Sequence, residues 1–290
     1  MSGRPQADVD VDGDLVRRLL REQASDLGWE TVERVGEGWD NVTFRLAPPA
    51  TGHGVLAARL PRRAVAAELL LREQRWLAEV TRDLGIPVPV PVLCGRPSQG
   101  YPYPWSVVPW IEGRTADELE LTVGEGRRLG AALRGLHRLA GPDAPVSVFR
   151  GVPLAARAAG VEDRLVDLGL TGLIPIWRRA LETPREGHGV WIHGDLHARN
   201  VIVRDGRVAG IIDWGDLTAG DPATDLAAAW TVLEGVEVRS AFLEEYGASP
   251  AERVRAVGWA VYLAAVMAAS GDPAHVRLGR AIAARIRADS

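Results

Sequence analysis

His193-Gly194-Asp195-Leu196-His197-Ala198-Arg199-Asn200, followed by Ile212-Asp213-Trp214-Gly215, sets three oxygen-bearing side chains in order: Asp195, Asn200 and Asp213. The apolar runs Val190-Trp191-Ile192 and Val201-Ile202-Val203 suit buried strands, and the polar octet between them reads as a loop. Arg204-Asp205-Gly206-Arg207 supplies an Asp-Gly turn, and Val208-Ala209-Gly210-Ile211-Ile212 returns as a further strand. Such a hairpin brings Asp213 back beside the loop that precedes it. Asn200 and Asp213 can then offer oxygens to one hard divalent cation, with water and other oxygens completing the shell. Asp195 stands apart as a carboxylate able to take a proton from a hydroxyl. Two other readings compete. A lone His-x-Asp is usually a solvated loop, but three polar positions in register across a strand, a turn and a strand are harder to obtain by chance. His193, Asp195 and His197 also alternate as zinc ligands can, which keeps a zinc hydrolase open. The other four histidines (His53, His137, His188, His275) are scattered and give no second ligand pair.

The same spacing resembles the catalytic and metal loops of protein kinases, with Gly194 where those chains carry Arg. The variant His-Gly-Asp-Leu-His-x-x-Asn resembles the aminoglycoside phosphotransferase family, small-molecule kinases of the protein-kinase-like fold. That resemblance implies an α+β, bilobal architecture: an antiparallel sheet plus a helix for nucleotide binding over residues 1–110, and a mainly α catalytic and substrate lobe over 111–290. It implies ATP, or alternatively GTP, with Mg2+ on Asn200 and Asp213, and phosphoryl transfer to a small-molecule hydroxyl activated by Asp195. It also implies that His193 orders the loop and that an Asp in the place of Asp225 braces it through backbone hydrogen bonds, a structural support rather than a chemical role. The match runs from Trp29 to the last helices, strongest over Val190–Ala229.

Composition narrows the partners. A chain of 290 residues, 47% hydrophobic and 25% charged, has the make-up of a globular protein with one large domain or two lobes. A net charge of −4 lacks the basic face that nucleic acid requires, and suits a cationic ligand only weakly. The single Cys94 excludes an internal disulfide. Met1–Asp14 has no signal-peptide core, and the longest apolar stretch, Ala256–Ala269, is too short to span a bilayer. A cytoplasmic protein, monomeric or weakly dimeric, with no membrane partner, is expected. All 34 basic residues are Arg and none is Lys, which has consequences at one position.

In the first half, helical spacing from Asp14 predicts a helix to about Leu27. Trp29–Val35 and Val42–Leu46 read as strands around the turn Gly36-Glu37-Gly38-Trp39-Asp40-Asn41, where Gly36 and Gly38 would let backbone amides approach phosphates. Gly54–Leu60 reads as a third strand and Ala64–Val80 as a helix. In kinases the third strand carries a Lys paired with a Glu on that helix; here Arg59 takes the place, with Glu73 as partner and Glu68 as the alternative. Arg62 and Arg63 are the other cations that could serve. Strands are also expected around Leu93 and at Ser106–Val108. Val108-Pro109-Trp110-Ile111-Glu112-Gly113 resembles the family's inter-lobe connector. Pro109, which has no N–H, can only accept from an adenine, and Ile111 can donate.

In the second half, helices are expected at Thr122–Leu139, from Pro222, and at about Glu237–Glu245, Pro250–Ser270 and Pro273–Ala288, with Trp177 in the core and His137 structural. By motif alignment with the aminoglycoside 2″-phosphotransferases, Asp216 and Glu234 are the expected substrate contacts, the carboxylates for ammonium groups, and Trp230 is expected to line the same pocket. The family resemblance thus points to an aminoglycoside-type antibiotic and a resistance role. Macrolide, choline and homoserine remain alternative acceptors, and the Arg at position 59 keeps a nucleotide-binding pseudokinase open.

Overall fold

The structure is a computed structural model that describes residues 6–48, 54–98, 100–185 and 187–289; His53 lies outside them. Of these, residues 6–82 and 88–111 form one unit, and 83–87 with 112–289 form another. The sequence places the division between Trp110 and Ile111, whereas the helical unit begins at Glu112 and also takes in 83–87.

The sheet unit opens with α1 (Gly13–Gln23), capped by the Asp12 carboxylate accepting from the Leu15 N–H at 2.7 Å. The helix ends before Leu27; a 3-10 turn at Ser25–Leu27 leads into Gly28, whose φ of 58° turns the chain away. Next come β1 (Thr31–Glu37), β2 (Asn41–Ala47), β3 (Leu56–Pro61), α2 (Ala64–Val80), β4 (Leu93–Gly95) and β5 (Trp105–Pro109). The sheet is antiparallel in the order β1-β2-β3-β5-β4. β1 runs two residues into the expected turn because a bulge between Arg34 and Gly36 absorbs the offset, so Gly36 pairs with Thr43 inside the ladder. Val42, Phe44 and Leu46 alternate inward from β2 against Leu15, Val16, Leu19 and Leu20 of α1. On α2, the buried positions Ala66, Leu70, Glu73, Leu77 and Val80 fall on one face at helical spacing. A carboxylate in that stripe needs a buried cation.

The helical unit begins with β6 (Arg114–Thr115) and α3 (Val123–Leu136), capped by Thr122. α4 (Val161–Asp167), α5 (Ile174–Leu181), β7 (Val190–Ile192), β8 (Val201–Arg204), β9 (Arg207–Ile211) and β10 (Thr218–Gly220) follow. The remaining helices are α6 (Ala223–Leu226), α7 (Ala228–Thr231), α8 (Val236–Tyr246), α9 (Pro250–Ala268) and α10 (Pro273–Ala288). β8 and β9 form the Asp-Gly hairpin: Asp205 and Gly206 both have positive φ, 53° and 73°, as a primed turn requires. β7 pairs with β10, a strand the sequence does not announce. α9 carries a full capping box from Ser249 and Glu252 and is buried on nearly every side, so the apolar stretch at Ala256–Ala269 is a core helix. Among the described residues no helix is long and apolar enough to cross a membrane. α3 and α8 approach closely because Gly126 and Gly130 face Val238 and Phe242; a Cβ at Gly130 would sit 2.4 Å from the Phe242 carbonyl oxygen.

Candidate active site

The loop between β7 and β8 is held from below by one buried carboxylate. Asp225, on α6 and fully buried, accepts from the backbone N–H of His193 at 2.6 Å and of Gly194 at 2.9 Å. His137 Nε2 lies 3.2 Å from the same carboxylate, and its Nδ1 lies 2.9 Å from the Tyr246 hydroxyl, so His137 orients the brace. Burial works against the Asp225 charge, but His137 and the donated N–H groups outweigh it and keep the carboxyl below its ordinary value. Gly194 has φ of 87°, and a Cβ there would meet the Asp216 carbonyl oxygen at 2.6 Å. Those two facts account for Gly where kinases carry Arg.

His193 ties the loop to the strand end after β9. Its Nε2 lies 3.0 Å from the Ile212 carbonyl, its Nδ1 accepts the Asp195 N–H at 3.2 Å, and its ring tilts against Trp214 with centroids 4.5 Å apart. Both ring nitrogens are engaged, which leaves neither for zinc. The Ile212 N–H donates to the Asn200 carbonyl at 2.9 Å, setting Asp213 one residue beyond Asn200's backbone. Asn200 Nδ2 donates to the Asp195 carbonyl at 2.9 Å, leaving Oδ1 as the atom a cation would meet. Asp213 holds φ of 62°, a left-handed conformation that a non-glycine residue adopts at a cost of roughly 1–2 kcal/mol. Among the described residues no group of three or more His, Cys, Asp and Glu side chains could hold a metal by itself. The oxygen donors of Asn200 and Asp213 fit a cation that takes its other ligands from phosphate and water, as magnesium does.

Asp195 does not stand alone. Arg150 Nη2 lies 2.7 Å from Asp195 Oδ1, and Arg150 Nε donates to Asp216 Oδ2 at 3.1 Å, so one guanidinium bridges both carboxylates. His197 Nε2 is 3.5 Å from the other Asp195 oxygen. Burial would raise the Asp195 pKa, but Arg150 and then His197 hold the carboxyl well below the usual carboxylate range. Asp216 is pushed upward, by burial and by its neighbours Asp195 and Asp213, despite Arg150. Arg150 itself stays charged: burial opposes this, and Asp195 and Asp216 overcome it. Nothing in the sequence pattern marks Arg150. Its loop is shaped by the Ser147 hydroxyl, which accepts from the N–H of Phe149 and Arg150, and by Pro145, whose carbonyl accepts from Ala219 on β10.

The expected residues of the sheet unit fall into two groups. Arg59 on β3 forms a forked ion pair with Glu73 on α2, its second contact at 3.2 Å, and Glu68 is exposed. Arg62 pairs with Glu37 and Arg63 with Asp40, both at the β1–β2 turn. Gly36 has open space where a Cβ would stand, and Gly38 meets only the Asn41 carbonyl at 3.6 Å, so packing does not demand glycine at either place. At the end of the β3–β5 pair, the Trp110 N–H donates to the Val55 carbonyl at 2.9 Å. By the alternation of a strand, Pro109 and Ile111 then direct their backbone groups to the opposite side, past the end of β4. Pro109 sits opposite Leu56 in a non-hydrogen-bonded pair, where its missing N–H costs nothing.

Trp230 and Glu234 are held by residues at the end of α10. The Trp230 indole N–H donates to Asp289 at 2.8 Å, and Arg285 pairs with Glu234 at 2.7 Å while donating to the Trp230 carbonyl at 2.9 Å. Arg239 binds the same Asp289. Among the described residues, neither Trp230 nor Glu234 makes a hydrogen bond or ion pair to Asp195, Arg150 or Asp216. Of the three residues expected in the substrate pocket, only Asp216 is joined to Asp195, through Arg150.

Comparison with known proteins assigns the chain to a family. Residues 31–260 match the model of the phosphotransferase enzyme family (APH). The chain is 30% identical over 243 residues to a homoserine kinase of Methylorubrum populi, covering 76% of this chain and 69% of that one. It is 32% identical over 186 residues to the viomycin phosphotransferase of Streptomyces vinaceus, covering 57% of this chain and 63% of that one. Among solved structures, it is similar to APH(2")-IIia in complex with GDP and kanamycin, with a TM-score of 0.67 and 18% identity over 95% of this chain and 99% of that one. That likeness shows the kinase-like α+β fold. The chain belongs to the phosphotransferase enzyme family, a family of small-molecule kinases.

Proposed function

We propose that this chain transfers the terminal phosphoryl group of ATP, or of GTP, to a hydroxyl of a small molecule. The observation that carries the reading is the Asp195 carboxylate, kept ionised on a braced loop where Asn200 donates to the Asp195 backbone carbonyl and stands one residue from Asp213 in the ladder. Asp195 takes the hydroxyl proton as the acceptor oxygen bonds to the γ-phosphorus; the bond to the β–γ bridging oxygen breaks and the nucleoside diphosphate leaves. Arg59, fixed by Glu73, offers a cation to the phosphates, and the Pro109 carbonyl and Ile111 N–H offer an acceptor and a donor to the base. Magnesium on Asn200 and Asp213 would neutralise charge on the phosphates. An aminoglycoside acceptor is the second reading, supported by the viomycin phosphotransferase relative and the kanamycin-bound structural neighbour. Against it, the two carboxylates expected to receive ammonium groups are already matched by arginines: Asp216 by Arg150 and Glu234 by Arg285. The test is ADP or GDP release with Mg2+ against aminoglycosides, macrolides, homoserine and choline, with Asp195→Asn as control. Acceptor-dependent release lost in that variant supports the reading; release equal in both contradicts it.

A further inference from the structure

Beside Arg150 lies a second cation with no carboxylate to answer it. The guanidinium of Arg157 sits over the Phe149 ring at 5.3 Å from its centroid and over the Tyr262 ring at 5.0 Å. It donates to the Tyr262 hydroxyl from Nε at 3.1 Å and also from Nη2. Among the described residues neither Arg157 nor Arg164 pairs with a carboxylate. Tyr262 is buried and lies within electrostatic reach of Arg150, and Phe149, 59% exposed, immediately precedes Arg150 in the chain. A cavity of about 400 Å³ opens here, lined by Arg157, Arg164, Tyr262, Val266 and three alanines. That volume lies in the range of small-molecule sites.

Arg150 is matched by Asp195 and Asp216, whereas Arg157 and Arg164, which line the cavity, meet no carboxylate among the described residues. An oxyanion would supply the negative partner that Arg157 and Arg164 lack. The planar fork of Arg matches carboxylate or phosphate with two parallel N–H donors, and the exposed Phe149 face offers apolar area beside it. We propose that Arg157, with Arg164 at the rim, binds an oxyanion carried by the acceptor, so that the substrate is an alcohol bearing a carboxylate or phosphate group. This inference rests on the reading of Asp195 as the base that faces the acceptor hydroxyl.

The experiment is calorimetric titration of the whole chain, without turnover, using 4-(hydroxymethyl)benzoate, its neutral amide, 4-(hydroxymethyl)phenyl phosphate and kanamycin. At least one anion is expected to bind about tenfold or more tightly than the amide, a gap of about 1.4 kcal/mol. The ratio should fall below about twofold in Arg157→Ala, recover in part in Arg157→Lys, and persist in Arg178→Ala, which removes a charge from the exposed pair with Glu162. If Arg157→Ala does not fold, Arg164→Ala and Arg157→Lys give the same comparison with smaller losses. The order of benzoate and phosphate identifies the oxyanion. Equal binding of amide and anions, no measurable binding of either anion, tighter binding of kanamycin, or a ratio unmoved by Arg157 substitution overturns the proposal. Phosphoryl transfer from Mg-ATP and Mg-GTP is scored separately: anion-selective binding with no transfer to any alcohol supports the oxyanion site and counts against the phosphotransferase reading.

Discussion

Arg59 keeps the positive charge of the Lys that kinases place on the third strand, but delivers it through a rigid fork whose geometry depends on Glu73. Glu73 is buried at 2% exposure, so Glu73→Ala leaves an uncompensated guanidinium. The expected cost is about 3 kcal/mol, seen as a lower midpoint in thermal unfolding, together with a rise of about tenfold in the nucleotide KM. A pseudokinase would show the stability loss without any kinetic parameter to move. The pair was legible through the kinase resemblance, which left Glu73 and Glu68 as candidates; the structure selects Glu73, which lies in the buried stripe of α2 while Glu68 is exposed. Arg150 was not legible. It lies in Val146-Ser147-Val148-Phe149-Arg150, a segment with no periodicity, and reaches Asp195 only because a serine turn and Pro145 fix the loop against β10.

At the scale of elements, the catalytic loop owes its shape to α6 and α3 as much as to its own residues. Asp225 has a folded-state pKa below its ordinary value, so its contribution is fully present above about pH 4 and is lost as the pH falls through the lower folded value. Asp225→Asn is expected to cost about 3 kcal/mol at pH 7. Melting curves between pH 6 and 3 should show the gap between wild type and variant narrowing as the pH falls; a constant gap would mean that the charge of Asp225 is not what braces the loop. Gly194→Ala should cost about 2 kcal/mol or more, because it combines a left-handed φ with a Cβ 2.6 Å from the Asp216 carbonyl oxygen. Circular dichroism melts check it, and an unchanged midpoint would contradict the geometry. The Asp-Gly hairpin and the long helices could be read from sequence, since turn chemistry and 3.6-residue periodicity are local signals. β10 could not: Thr218-Ala219-Gly220 has no alternation, and its strand state comes from pairing with β7.

For the molecule as a whole, the proposal that Asn200 and Asp213 hold magnesium predicts that nucleotide binding is a magnesium-linked event. Saturating Mg-nucleotide, at about one hundred times its Kd, should stabilise the fold by about 2.7 kcal/mol, and Asp213→Asn should reduce the part of that shift that depends on Mg2+. Thermal melts with and without EDTA read this directly, and a shift indifferent to both would remove the metal from these residues. The partners of the expected substrate wall were the least legible part: Trp230 is bonded to Asp289 and Glu234 to Arg285, residues more than fifty positions away in sequence that no local pattern signals. The most direct measurement is acceptor-dependent release of ADP or GDP by the wild-type chain and by Asp195→Asn. Loss of turnover by about 10²–10⁴-fold, with the nucleotide affinity retained, is the result predicted for a base that removes the acceptor proton. Turnover that survives in Asp195→Asn would contradict Asp195 as the group that receives that proton.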